Sequence, residues 1–296
     1  MRSILLSIVS IFFSFPGFAQ TNSLRQQIQD LIATKNASVG VAISALEGPD
    51  TLSINGDAHF PMQSVFKFHI ALAVLSQVDR GKFSLDQKVE ILKNDLLPNL
   101  YSPLREDHPN GATLSLSKIL AYTVSKSDNV GCDVLLRLIG GPQVAEEYLI
   151  KNNFKDISIK INEETQQANW DLQFQNWTTP KAANEVLAAF YNNRGKLLSK
   201  KSYAFLREIM EQTETGAARL KGQLPGKTIV AHKTGSSGTN KEGITAAVND
   251  IGIITLPNGK HYAISVFVSN SKENNDTNEK IIADISKLAW DHFTGK

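Results

Sequence analysis

Near the amino end, Leu24, Ile28, Leu31 and Ile32 recur at helical spacing and predict a helix over residues 23–35. The ASVGVAISAL that follows is rich in small and β-branched residues, which suit a strand. Far downstream, KTIVAHKTG, AAVNDIGIITLP and HYAISVFVSN read as three strands, PNG supplies a turn, and residues 277–293 return to a helical period. Between these two ends, periodic apolar positions over 64–79, 115–139, 142–151, 180–193 and 199–212 predict a mostly helical middle. The pattern therefore predicts an α/β domain assembled from residues 20–58 and 213–296, with a helical domain, 59–212, inserted into it. Sites form where two such layers meet.

The first residues break this pattern. Arg2, an apolar run from Ile4 to Phe15, Pro16, and small residues at Gly17 and Ala19 form a secretory leader, residues 1–19, with cleavage expected after Ala19. The run is shorter than the roughly 20 apolar residues that span a bilayer. No cysteine in it can carry a lipid. The mature chain is expected to be a periplasmic, monomeric protein with no stable membrane anchor.

Composition removes several classes. The net charge is +2 and Lys93, Lys118, Lys151 and Lys287 are scattered, so nucleic acid is not an expected partner. The single cysteine, Cys132, sits among Val130, Val134 and Leu135 and reads as a buried structural thiol. His59, His69, His108, His232, His261 and His292 show no closely spaced ligand motif, so neither a metal nor another cofactor is expected.

Ser-x-x-Lys occurs at Ser64–Lys67, Ser115–Lys118 and Ser269–Lys272. Ser115 reads as the cap of the helix entered at Leu116, and Ser269 lies in the polar stretch SNSKENND, read as a loop with Lys272 solvated. Ser64 could also cap a helix. Lys67, however, shares a helical face with Ser64 yet is flanked by Val65, Phe66, Phe68 and Ile70, where a lysine is costly unless the face opens into a site. An attacking serine needs a nearby proton acceptor, and an amine stripped of water can become one. Ser127 and Asn129 in SKSDNVG, and Lys233, Thr234 and Gly235 at a strand end, each have ordinary structural readings. Together and in this order they form a set.

S-x-x-K, S-D-N and K-T-G are the signature of class A β-lactamases and penicillin-binding proteins. The chain resembles class A serine β-lactamases over its mature length. HFPMQSVFKFH, QFQNWTTPKAA and RLKGQLP with VAHKTGSSG resemble the PER/VEB-type extended-spectrum cephalosporinases. The resemblance implies a β-lactamase/transpeptidase-like fold of the α/β class (an α+β sandwich): an antiparallel sheet flanked by N- and C-terminal helices, with an inserted all-helical domain. It also implies that Ser64 attacks a lactam carbonyl, with Lys67 as proton acceptor and Ser127 passing a proton to the ring nitrogen. Asn129 would bind the substrate's side-chain amide. Lys233 and Thr234 would meet its carboxylate, with Arg219 directed towards the same group. Gly235 completes that strand motif, the backbone N–H groups of Ser64 and Ser236 would form the oxyanion hole, and Tyr101 would line the cleft mouth.

Hydrolysis needs a second base to activate water. Alignment through QNW places Glu163 on that base, with Glu164 as the rival carboxylate, in an Ω-type loop near residues 160–177. Two departures from the broader family stand out. Gln167 replaces an asparagine that helps hold the water, and Asn176 replaces the neck aspartate, so an aspartate ion pair cannot close the loop. The expected function is hydrolysis of small-molecule β-lactams, cephalosporins including extended-spectrum ones favoured. A DD-peptidase or a non-hydrolytic β-lactam sensor remains the alternative.

Overall fold

The computed structural model describes residues 16–193 and 197–295. Most of the expected leader lies outside the described residues; the backbone of 16–19 opens the first helix.

Helix α1 (Pro16–Ala33) leads into β1 (Ser38–Ala45) and β2 (Thr51–Ile54). The chain then leaves through β3 (Phe60–Pro61) and a single 3-10 turn (Gln63–Val65) into α2 (Phe66–Asp79). Next come β4 (Lys88–Ile91), α3 (Pro103–Asp107), β5 (Ala112–Ser115), α4 (Leu116–Ser125), α5 (Asn129–Ile139) and α6 (Pro142–Lys151). After β6 (Ile157–Ser158), the loop carries α7 (Glu163–Ala168) and a 3-10 stretch (Trp170–Gln175), closing at β7 (Trp177–Thr178). Helices α8 (Pro180–Asn192) and α9 (Lys200–Glu211) precede β8 (Val230–Ser236), β9 (Thr245–Thr255), β10 (His261–Ser271) and the closing helix α10 (Asn275–Thr294).

Strands from the two ends form one antiparallel five-stranded sheet in the order β2-β1-β10-β9-β8. Leu24 and Ile28 of α1 and Ile281, Ile285 and Trp290 of α10 pack with Val41, Ile264 and Val266 of the sheet in one apolar core. The predicted helical face of residues 23–35 is thus its buried face. The second core is centred on α2, in which every residue from Phe66 to Ser76 is buried. A helix apolar on all sides belongs in an interior, and each large side chain so buried contributes about 1.5–3 kcal/mol.

Three local readings change. The helix expected over 115–139 is two helices. Ser127 takes φ 59°, and Asp128 caps α5 by accepting from the Gly131 N–H at 2.7 Å. Ser269 belongs to β10, where its buried hydroxyl donates to the Ala246 carbonyl at 2.7 Å. The apolar run HYAISVFV continues the ladder past the polar residues, so tertiary pairing overrides local polarity. Ser64 sits in the 3-10 turn, and the side chain at the N-cap of α2, Val65, makes no capping bond. Ser115 caps α4, accepting from the Lys118 N–H at 3.2 Å.

Candidate active site

The site lies where α2, the α4–α5 break, β8 and the 160–177 loop converge. A cleft of about 300 Å³ is lined by every expected site residue except Lys67 and Lys233, which are fully buried behind it.

Lys67 is the hub. Its Nζ donates to Ser64 Oγ at 2.7 Å, to the Ser127 carbonyl at 2.9 Å and to Asn129 Oδ1 at 2.5 Å, and it pairs with Glu163 Oε1 at 2.6 Å. An ammonium has three N–H donors and no lone pair. Four oxygens surround this one, and only Ser64 Oγ carries a hydrogen of its own. The Lys67–Ser64 bond is therefore the contact that can reverse direction once a proton leaves the nitrogen.

The left-handed backbone of Ser127 directs its carbonyl to Lys67 while its Oγ accepts from Lys233 Nζ at 2.8 Å. Such a φ is costly for a non-glycine residue and persists only where the surroundings enforce it. Asp128 does so: its buried carboxylate accepts from Ser102 Oγ at 2.8 Å and from the Leu104 and Gly131 N–H groups at 2.7 Å each. Burial pushes the Asp128 pKa up, and these donors oppose that shift. Burial, followed by the nearby Lys67 charge, holds the Lys233 pKa well below its ordinary value.

On β8, Lys233 also donates to the Thr234 carbonyl at 2.9 Å, and Thr234 Oγ1 shares a hydrogen bond of 2.6 Å with Thr215 Oγ1. Arg219 is buried. It reaches the Gly235 carbonyl at 3.1 Å, the Asn249 carbonyl at 2.9 Å and Ser236 Oγ at 2.7 Å, while its Nε pairs with Glu279 at 3.0 Å. The strand approaches the turn carrying Ser64 closely: a Cβ on Gly235 would lie 2.4 Å from the Met62 carbonyl oxygen and 3.3 Å from the Ser64 nitrogen. Only glycine fits there. Asn249 fixes the same turn by donating to the Pro61 carbonyl at 2.8 Å. Tyr101 is 56% exposed at the cleft, and its carbonyl accepts from the Asn129 N–H at 3.1 Å.

Burial separates the rival carboxylates. Glu163 is 1% exposed and faces Lys67, whereas Glu164 is exposed. Both backbone N–H groups donate to Asp133 of α5, at 2.8 and 2.9 Å, and Asn162 Nδ2 donates to it at 3.1 Å. Burial pushes the Asp133 carboxyl up to about 7 against these donors. Asn176 closes the loop without a charge. Its Oδ1 accepts from the Lys160 and Ile161 N–H groups at 2.8 and 3.2 Å, and its Nδ2 donates to the Ile161 carbonyl at 2.9 Å.

Gln167 is exposed and lines the cleft; the amide that contacts Glu163 is its neighbour Gln166, with Nε2 3.2 Å from Oε2. Sequence reasoning missed Gln166, Asp133, Thr215 and Gln63. Asp133 carried a legible signal, since it lies four residues after Asn129 and so shares its helical face. The others carried none beyond proximity to a motif.

The sheet, the helical insertion and this convergence of serine, lysine and glutamate define a class A serine β-lactamase. The chain belongs to the β-lactamase enzyme family, whose model matches residues 23–293. It is 55% identical to β-lactamase VEB-1 of Pseudomonas aeruginosa over 100% of this chain and 99% of that protein. It is 42% identical to the extended-spectrum β-lactamase PER-1 of the same organism, over 94% and 90%. The crystal structure of the TLA-1 extended-spectrum β-lactamase superposes with a TM-score of 0.90 at 51% identity, covering 93% of this chain and 99% of that one. No helix among the described residues is long and apolar enough to cross a membrane.

Proposed function

We propose that the enzyme hydrolyses β-lactams, extended-spectrum cephalosporins among them, through an acyl-enzyme on Ser64. Lys67 first passes a proton to the Glu163 carboxylate 2.6 Å away. Ser64 Oγ then bonds to the lactam carbonyl carbon as its own proton moves to the neutral Lys67, and Glu163 returns its proton through Lys67 when the ring nitrogen is protonated. The backbone N–H groups of Ser64 and Ser236 stabilise the oxyanion, where one such donor is worth about 3 kcal/mol of barrier. The C–N bond breaks as Ser127 gives a proton to the ring nitrogen, drawing on the chain of contacts to Lys67 and Lys233. Lys233, Thr234 and Arg219 hold the substrate carboxylate, Asn129 its side-chain amide, and Tyr101 the mouth of the cleft. Glu163 then takes a proton from water, whose oxygen attacks the ester and releases Ser64; Gln167 borders the space for that water.

The observation that carries this reading is Lys67 Nζ standing 2.7 Å from Ser64 Oγ and 2.6 Å from Glu163 Oε1, one nitrogen serving nucleophile and base. Similarity to extended-spectrum relatives supports the cephalosporin preference. Export with cleavage after Ala19, a periplasmic monomer, and the division at residues 59 and 213 belong to the same proposal. The test is turnover of a chromogenic cephalosporin with intact-mass trapping in Glu163→Gln. Many turnovers by the wild type and a Ser64 adduct in the variant are expected. A stable adduct on the wild type would favour the sensor, and cleavage of D-Ala-D-Ala peptides without lactam turnover the peptidase.

A further inference from the structure

The residue before the nucleophile, Gln63, has φ 47° and is 2% exposed. A buried non-glycine residue in the left-handed region is uncommon, and its strain points to a use for the side chain it aims. That side chain enters the loop carrying the base. Gln63 Nε2 donates to Gln173 Oε1 at 2.7 Å, and Gln63 Oε1 accepts from Gln166 Nε2 at 3.2 Å. The same Gln166 nitrogen donates to Glu163 Oε2, and Gln166 Oε1 accepts from Asn176 Nδ2 at 3.1 Å.

Side-chain amides can flip, and only their network fixes which end faces which neighbour. Here backbone groups fix both ends. Asn176 Oδ1 accepts two backbone N–H groups, so its nitrogen must face Gln166. Gln173 Nε2 donates to the Trp170 carbonyl at 2.7 Å, so its oxygen must face Gln63. The donors therefore run one way, from Asn176 through Gln166 and Gln63 to Gln173, and the only orientation left to Gln166 turns its N–H₂ towards Glu163. If Gln166 flipped, its oxygen would face both the Glu163 carboxylate and the Gln63 oxygen, an acceptor set against two acceptors at a buried position, which is expensive.

The geometry points to Gln63 as a positioning residue for hydrolysis: through the one-way amide relay Gln63–Gln166 it holds Glu163 aimed at the water, coupling the nucleophile's turn to the base. The inference rests on Glu163 being the deacylating base. It assigns Gln63 to the second half of the reaction although it adjoins the residue of the first.

Acylation and deacylation of a chromogenic cephalosporin would be measured separately by stopped flow, with intact mass as a second readout, in Gln63→Met, Gln166→Met, the double variant and Glu163→Gln. Gln63→Met removes both amide functions at similar length. It is expected to acylate within about threefold of wild type and to deacylate roughly 10- to 100-fold more slowly, the range that misplacement of a reacting group produces. The double variant should be no slower than the slower single, because the two act as one unit. Unchanged deacylation in Gln63→Met, equal losses in both steps, or a double variant whose losses multiply would each overturn the relay. Should Gln63→Met fail to fold, Gln173→Met removes the acceptor that orients Gln63, and the same split is expected. Failure of Glu163→Gln to accumulate an adduct would overturn the underlying reading instead, so the two failures are distinguishable.

Discussion

The two halves of the active site are built from different materials. The half proposed to acylate, Ser64, Lys67, Ser127 and Lys233, stands on a 3-10 turn, a helix, a helix break and a strand, and is joined by contacts between buried ammonium groups and oxygens. The half proposed to hydrolyse lies on the 160–177 loop and is held mainly by neutral amides: Gln166, Gln173 and Asn176, with Gln63 reaching in from the turn. Ionisable groups from outside the loop meet it at Asp133, which accepts from the Glu163 and Glu164 N–H groups, at Lys67, which pairs with Glu163, and at Glu146, which pairs with Lys160. The contrast matters physically. Cation–oxygen contacts are strong at low dielectric and work in only one polarity, whereas amides supply both donor and acceptor and must be ordered by their neighbours. A loop held by amides can be closed without burying another charge.

The largest effects should come from the acylating half. Ser64→Ala removes the nucleophile and is expected to lower kcat/KM with a chromogenic cephalosporin at least about 10⁴-fold. A loss under tenfold would place the chemistry elsewhere. Gly235→Val adds atoms where even a Cβ meets the Met62 carbonyl at 2.4 Å. The strand must draw back from Ser64 and carry the Ser236 N–H with it, so activity should fall about 100-fold with the fold retained by circular dichroism. Arg219→Ala should act on binding instead, with KM raised about tenfold and by more than kcat falls, because it removes the cation proposed to meet the substrate carboxylate. A purely kcat effect would move Arg219 out of the carboxylate site.

The same division governs what could be read from the chain. The helix–strand ends, the α2 core and Lys67 were legible because helical and strand periods, and a lysine flanked by Val65, Phe66 and Phe68, are local signals, whereas Ser127, Asn129 and Lys233 were legible only as members of a known family signature. The helix break at Ser127 was not, because it is enforced by Asp128 through bonds to Ser102 and Leu104, more than twenty residues away. Ser269 was misplaced for a similar reason, since pairing along β10 decides a position whose neighbours in sequence are polar. The amide network was silent: glutamines in a polar loop look solvated until tertiary structure buries them. Gln167 was legible only by counting from Glu163, and the amide touching Glu163 is one residue earlier.

On the hydrolytic side, restoring the family's usual neck aspartate should damage this loop. Asn176 is fully buried, and its Nδ2 donates to the Ile161 carbonyl and Gln166 Oε1. Asn176→Asp would set a carboxylate oxygen against both acceptors, at a cost of about 1–3 kcal/mol for each pairing lost. Differential scanning calorimetry should show Tm lower by on the order of 5–10 °C. An unchanged Tm would mean that the loop can recruit a cation and that neutral closure is incidental.

The smallest effect tests the anchor on α5, Asp133. Burial pushes Asp133 up to about 7 from an ordinary value of 3.8. Between those two values the folded protein holds a proton that the unfolded chain has released, so this group's contribution to stability declines as pH rises from about 4 towards 7 and is level above that. Asp133→Asn cannot titrate. It also turns an N–H₂ towards one of the loop's backbone donors, a fixed cost at every pH. The wild type should therefore exceed the variant in Tm by its widest margin near pH 4.5 and by a smaller one at pH 7.5. A margin independent of pH would show that the three N–H donors keep Asp133 ionised throughout, and that the anchor works as a fixed charge in the manner of the acylating half.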